Sequence, residues 1–285
     1  MNEFVKSHGL GNDYIVMDSG NISFELTPER IRLICDRHFG VGSDGILLLV
    51  PSENADFGLR IFNPDGSEAE KSGNGIRIFS KFLYDHGYTN KSSFSVETIG
   101  GNVEVELVII DGKVSQVSVM MGYVTFMSDR IPVLGDPREV VGERIYVDGE
   151  ELLITALSIG NPHCVVFVED LGSIDIGRLG PAIENHPLFP RRTNVQFAKV
   201  LSKDEVEVEI WERGVGETLA SGSSACAVAS AALKNGLVDN RVTVKMKGGS
   251  LLVEVKDDWA VWMSGPASEV YEGKLSDEFL EELCR

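Results

Sequence analysis

Gly11-Asn12 in "HGLGNDY" recurs 149 positions later as Gly160-Asn161 in "IGNPHC", and Ser72-Gly73 recurs at the same offset as Ser221-Gly222. Ile61-Phe62-Asn63 lines up in the same way with Ile210-Trp211-Glu212, and Glu68 with Glu217. A single G-N or S-G pair is an ordinary loop signature. Several landmarks that share one ungapped offset indicate an internal duplication, so each half of the chain must be able to build the same element order. Two such lobes related by a pseudo-two-fold axis would offer a small-molecule site where they meet, with Ser72 and Ser221 facing each other. The 285 residues, 43% of them hydrophobic, suffice for two cores.

Short β-branched runs punctuated by Gly, Asn or Asp predict strands in both halves. In the first half these are "GILLLV", "GLRIF", "SFSVET", "NVEVELVII" and "KVSQVSVMM". In the second they are "LLITALSI", "HCVVFV", "NVQFAKV", "EVEVEIW", "RVTVKM", "LLVEV" and "AVWM". Helices are fewer. "LTPERIRLICDRH" has Thr27 as N-cap, Pro28 at the first helical position and Ile31, Ile34 and Cys35 on one face. "AEKSGNGIRIFSKFL" and "ASGSSACAVASAALKNG" each place a serine before an apolar helix, the second ending at Gly236. Strict β-α-β alternation is missing, which argues against a doubly wound parallel sheet. The expected fold is α+β, with two pseudosymmetric lobes of many short strands and one strongly apolar helix in each half. Residues 1–120 with 267–285 form one lobe and 121–266 the other. "IPVLGDPREVVGE", rich in proline and glycine, reads as an inter-domain passage.

With 44 acidic against 26 basic residues the net charge is −18, which disfavours nucleic acid and anionic membrane surfaces as partners. No cationic leader followed by an apolar stretch opens the sequence, so the expected location is cytoplasmic. Cys35, Cys164, Cys226 and Cys284 have no C-x-x-C pairing or zinc-like histidine spacing and read as free thiols. Cys164 follows His163 directly, but neighbours on a strand face opposite ways, so they make no catalytic couple. No metal is expected.

The chemistry starts at the two serines. The N–H groups of Gly73 and Asn74, and of Gly222 and Ser223, open helices and lack intrahelical acceptors. Two helix N-termini aimed at one point suit a carboxylate and the charge that spreads from its α-carbon on deprotonation. Proton-handling groups on opposite faces of that carbon could then invert it.

This constellation resembles the diaminopimelate epimerase family along nearly the whole chain. The match covers "HGLGNDY", "GVGSDG", "FNPDGSEAEKSGNGIR", "GNPHCV", "TNVQF", "WERGVGETLASGSSACA" and Gly265-Pro266. The resemblance implies two lobes, each a mostly antiparallel, barrel-like sheet wrapped around a central helix, and a cofactor-independent isomerase that interconverts LL- and meso-diaminopimelate, with a homodimer as its assembly. It implies α-carboxylate binding around Gly73, Asn74, Gly222 and Ser223, with Asn12 beside the substrate. It assigns the distal amino-acid end to Asn63, Asn161, Asn194 and Arg213, whose planar guanidinium suits a carboxylate. His163 and Glu212 become auxiliary groups near the bases.

The departure lies at the bases themselves. The family pattern has cysteines in C-G-N-G and A-C-G-[ST]-[GS]-A, and this chain has Ser72 and Ser221. A thiol, with a reference pKa of about 8.5, is within about 2 kcal/mol of thiolate at neutral pH. If a hydroxyl's pKa lies between roughly 10 and roughly 15.7, ionising it costs on the order of 4 to 12 kcal/mol. Helix dipoles return about 0.3–2 kcal/mol. A serine can work if His163 or Glu212 takes its proton. Three readings fit: a natural hydroxyl-using epimerase, a homologue that binds diaminopimelate without turnover, or a deliberate double replacement. Ile78, where many members carry another cysteine, favours a natural variant.

Other classes fit less well. Gly40 to Gly45 satisfies G-x-G-x-x-G but precedes the strand-like "ILLLV" rather than opening a helix. Neither serine sits in G-x-S-x-G. An epimerase or racemase of another amino acid is disfavoured by the presence of Arg213 and the asparagines.

Overall fold

The repeat in the sequence is a repeat of elements in the computed structural model, which describes residues 1–284. The first half runs β1 (Glu3–Gly9), β2 (Asn12–Asp18), α1 (Pro28–Cys35), β3 (Ile46–Val50), β4 (Phe57–Phe62), β5 (Glu68–Ala69), α2 (Gly73–Asp85), β6 (Ser93–Thr98), β7 (Gly101–Ile110) and β8 (Lys113–Tyr123). After β9 (Glu143–Val147) the same order returns. It runs β10 (Glu150–Ser158), β11 (Pro162–Phe167), α3 (Ile176–Glu184), β12 (Asn194–Ser202), β13 (Glu205–Glu212), β14 (Gly216–Thr218), α4 (Gly222–Lys234), β15 (Arg241–Met246), β16 (Gly249–Val255) and β17 (Ala260–Gly265). The chain finishes with β18 (Ser268–Lys274) and α5 (Asp277–Leu283). Two compact units result: Met1–Val119 joined by the segment from Gly265, and Met120–Ser264.

Pairing repeats as well. In the first unit β1–β2, β3–β4, β4–β5, β6–β7 and β7–β8 are antiparallel, while β2–β3 and β4–β6 are parallel. In the second, β10–β11, β12–β13, β13–β14, β15–β16 and β16–β17 are antiparallel, with β11–β12 and β13–β15 parallel. A parallel pair needs a crossover long enough to return the chain, and a helix lies in each of these four connections. The α+β, sheet-rich class expected from the sequence is the class observed.

Local chemistry fixes the helices. Thr27 accepts from the Arg30 N–H at the start of α1, and Pro28 occupies its first turn. α2 and α4 both run 13 residues and end alike. Gly87 and Gly236, again 149 apart, adopt φ +78° and +69° just past the helix. The next residue's N–H reaches back to Leu83 or Ala232, a left-handed glycine cap. α1 and α3 cover the other face of each unit's strands. Ile31 and Ile34 pack with Ile15, Met17, Ile46 and Leu48, and Leu179 and Ile183 with Cys164, Val166, Val195 and Phe197.

Two differences from the sequence expectations have physical causes. "IPVLGDPREVVGE" is not a linker, because Ile131, Val133 and Val140 are buried in the second unit's core. Proline and glycine there shape turns that carry apolar side chains inward. α3, with Gly177, Gly180 and Pro181, has no uninterrupted periodic signal. Gly180 is required by packing, since a Cβ there would meet the Trp211 ring at 2.6 Å.

Candidate active site

Ser72 is the N-cap of α2, extended at φ −142°, with its Oγ accepting from the Gly75 N–H at 3.0 Å. Ser221 caps α4 at φ −144°, accepting from the Ser224 N–H at 3.4 Å. The backbone N–H groups of Gly73, Asn74, Gly222 and Ser223 have no acceptor among the described residues. Each helix start therefore presents N–H donors at the positive end of a 13-residue helix.

Around Ser72 the first unit places the Tyr14 hydroxyl, 3.4 Å from Oγ. Asn74, buried on the first turn of α2, donates to Asn12 Oδ1 at 3.1 Å and accepts from Arg77 at 3.0 Å. Asn12 in turn donates to Asp44 at 3.0 Å. Arg37 reaches both Asp44 and Asp13, and Lys6 also pairs with Asp13. Burial raises the Asp13 carboxyl, but hydrogen bonds from Arg37 and Lys6 and the positive charge beside it outweigh that and hold it down at about 2. Asn63 is occupied locally, donating to Ser67 Oγ at 2.9 Å in the turn between β4 and β5.

Around Ser221 the second unit is more polar. Ser223 Oγ lies 3.5 Å from Ser221 Oγ. Burial pushes the Glu212 carboxyl up, and the Ser221 hydroxyl offsets part of the rise. His163 is fully buried. The Gln196 amide N–H donates to His163 Nδ1 at 3.1 Å and to Ser224 Oγ at 3.0 Å. That leaves His163 Nε2 to carry the proton and donate to Asn161 Oδ1 at 3.1 Å. Burial pushes the imidazole down to about 3; the Gln196 contact raises it slightly and the Arg213 charge lowers it further. Both ring nitrogens are engaged and the ring stays neutral, so Glu212, not His163, is the group beside Ser221 with capacity for a proton.

Asn194 is a strap. It donates to the Pro162 carbonyl at 2.9 Å and accepts from the Arg213 N–H at 3.0 Å, tying the start of β11 to the end of β13. Arg213 itself donates to the Arg191 carbonyl at 3.1 Å and has no carboxylate partner among the described residues. Sequence reading missed Tyr14 and Gln196, although the offset that pairs the serines also pairs Tyr14 with His163 and could have found the first.

Cys35, Cys164 and Cys226 are buried and Cys284 is exposed. Burial raises the thiols of Cys35 and Cys164, which suits packing rather than reactivity. Among the described residues no helix is long and apolar enough to cross a membrane.

The family model described as diaminopimelate epimerase matches residues 4–127 and 155–270. The chain is 52% identical over 277 residues to diaminopimelate epimerase 2 of Nostoc sp., covering 97% of this chain and 96% of that one. It is 49% identical over 283 residues to the diaminopimelate epimerase of Desulfitobacterium hafniense, covering 98% and 99%. Among solved structures, a probable proline racemase from Agrobacterium radiobacter K84 superposes with TM-score 0.69 at 14% identity, over 96% of this chain and 93% of that one. A hydroxyproline epimerase from Agrobacterium vitis superposes with TM-score 0.67 at 15% identity, over 95% and 91%. Those two likenesses are of fold.

Proposed function

Because the chain belongs to the diaminopimelate epimerase family, we propose that it is a cofactor-independent isomerase that inverts one α-carbon of 2,6-diaminopimelate, interconverting the LL and meso forms in the cytoplasm. The observation that carries this reading is the matched pair of serine-capped helices, each with unpartnered N–H groups at its first turn. Those donors suit the α-carboxylate and the enolate-like charge that develops when the α-proton leaves. Inversion requires one base and one acid on opposite faces of that carbon, and Ser72 and Ser221 are the hydroxyls proposed for those two roles. Glu212 supports Ser221 in this role, since a carboxyl raised by burial can accept the proton that the hydroxyl passes on. Tyr14 is the partner hydroxyl for Ser72. The carboxylate-free Arg213 suits the distal carboxylate, with Asn63, Asn161 and Asn194 around the distal amino-acid end. The net charge of −18 supports a diffusing amino acid rather than a polyanion as partner, and a homodimer is part of the proposal.

α-Proton exchange tests it. Incubation with LL-diaminopimelate in heavy water should wash deuterium into one α-position with loss of stereochemical purity. A binder without turnover is the second reading, favoured by hydroxyls at both base positions; saturable binding without any exchange would establish it and remove the isomerase.

A further inference from the structure

We propose that Arg77 and Asp44 are positioning residues that fix the side-chain amides of Asn74 and Asn12, keeping their free N–H groups turned outward for a carboxylate. The proposal rests on the function above and concerns how the Ser72 end of the site distinguishes a carboxylate from an amide. The relay lies wholly within the first unit. Arg77, fully buried, donates Nε to the Pro266 carbonyl at 3.3 Å and a terminal N–H to Asn74 Oδ1 at 3.0 Å. Gly9 leaves room for it, since a Cβ there would sit 3.1 Å from the guanidinium. Asn74 Nδ2 donates to Asn12 Oδ1 at 3.1 Å, and Asn12 Nδ2 donates to Asp44 Oδ2 at 3.0 Å. Asp44 meets donors on every side, the Asp13 N–H at 3.1 Å and Arg37 at 2.7 Å among them.

An amide can be turned end for end with little change of shape, so an isolated asparagine offers a ligand either its oxygen or its N–H. This pair cannot turn. Guanidinium is only a donor and carboxylate only an acceptor, and they stand at opposite ends of the relay. Reversing either amide would set oxygen against oxygen at Asp44 or N–H against N–H at Arg77. Each asparagine oxygen is turned into the relay, and each Nδ2 keeps one N–H beyond it. Together with the backbone N–H groups of Gly73 and Asn74, the amides at this end present donors beside the Ser72 and Tyr14 hydroxyls.

The experiment compares calorimetric binding of LL-diaminopimelate with that of its α-monocarboxamide, to wild type, Asp44→Asn, Arg77→Gln and the double variant. Wild type should prefer the carboxylate. Either single variant keeps most of the preference because the other end still sets the direction. The double variant, with an amide at both ends, should lose about 10-fold or more of it, and Asp44→Glu should keep it. A double variant with the wild-type preference, or singles that each lose as much as the double, overturns the proposal while leaving the function intact. A wild-type protein that binds no diaminopimelate overturns the function and the proposal together. Should the double variant not fold, the side-chain amide resonances of Asn12 and Asn74 in wild type decide. Shifted Nδ2–H signals on adding diaminopimelate support the relay, and unmoved ones overturn it.

Discussion

The two units build one plan with different chemistry. At the shared offset Tyr14 stands where the second unit has His163, Leu47 where it has Gln196, Gly75 where it has Ser224, and Asn63 where it has Glu212. The first unit surrounds its serine with a phenol and an amide relay held by ions at its ends. The second surrounds its serine with a neutral, buried hydrogen-bond chain and one carboxyl. The central helices differ too. α2 buries Ile76, Ile78, Phe79, Phe82 and Leu83, whereas α4 buries Ala225, Ala227, Val228, Ala231 and Ala232 at the corresponding places. Duplication preserved backbone, caps and N–H donors, which any helix start can supply. It left free the side chains around each serine and those that fill volume, so one repeated plan carries two unlike polar environments.

Replacing both serines, Ser72→Cys with Ser221→Cys, should give the largest effect and the strictest test of equivalence. Turnover should rise by about 10⁴-fold, ~5 kcal/mol in barrier, since thiols ionise far more readily than hydroxyls. Steady-state epimerisation rates check it, and no gain would mean that the two serines are not the acid and base. Next comes packing. Phe79→Ala should cost about 3–5 kcal/mol and Val228→Ala, its counterpart, about 2 kcal/mol, read from urea unfolding. Equal losses would erase the contrast between the helices.

Glu212→Gln should slow α-deuterium exchange by about 10²-fold. Exchange in the unmodified protein rises with pH as the elevated Glu212 carboxyl ionises; the variant should lack that acidic limb. A retained limb would assign the proton elsewhere. Acid should also separate the units. His163 titrates near 6.5 when unfolded but at about 3 when folded, so the unfolded state binds the extra proton first. Its contribution is full above pH ~6.5 and shrinks as pH falls towards 3, by about 2 kcal/mol at pH 5. Asp13, depressed to about 2, is sensitive only below about pH 4. Hydrogen exchange at pH 5 should therefore show α4 losing protection before α2, and the reverse order would refute the assignment. The smallest effect is at the caps themselves. Ser72→Ala should lose about 1 kcal/mol in thermal unfolding and Ser221→Ala less, as the 3.0 Å and 3.4 Å cap bonds imply.

Strand and helix assignments followed residue by residue where the signal is local. "SFSVET" and "RVTVKM" coincide with β6 and β15, and Thr27 and the two serines cap their helices. The elements that escaped include α3, α5, the short β5 and β14, and the strands β1, β2, β9 and β18, some of which depend on partners distant in sequence. β18, for example, is largely exposed and is held by pairing with β1. Among the site residues, Asn194 shows the limit well. Its residue type suggested a ligand contact but could not show that both its amide groups also tie backbone segments together.

By itself the sequence determined the duplication, the two serine-capped helix starts and the family, because caps, turn glycines and strand alternation act over a few neighbouring residues. Tertiary structure alone decided which way each asparagine amide faces and that Glu212 rather than His163 keeps proton capacity beside Ser221. Amide orientation and the charge a buried group can hold are set by donors, acceptors and solvent exclusion that folding gathers from remote parts of the chain.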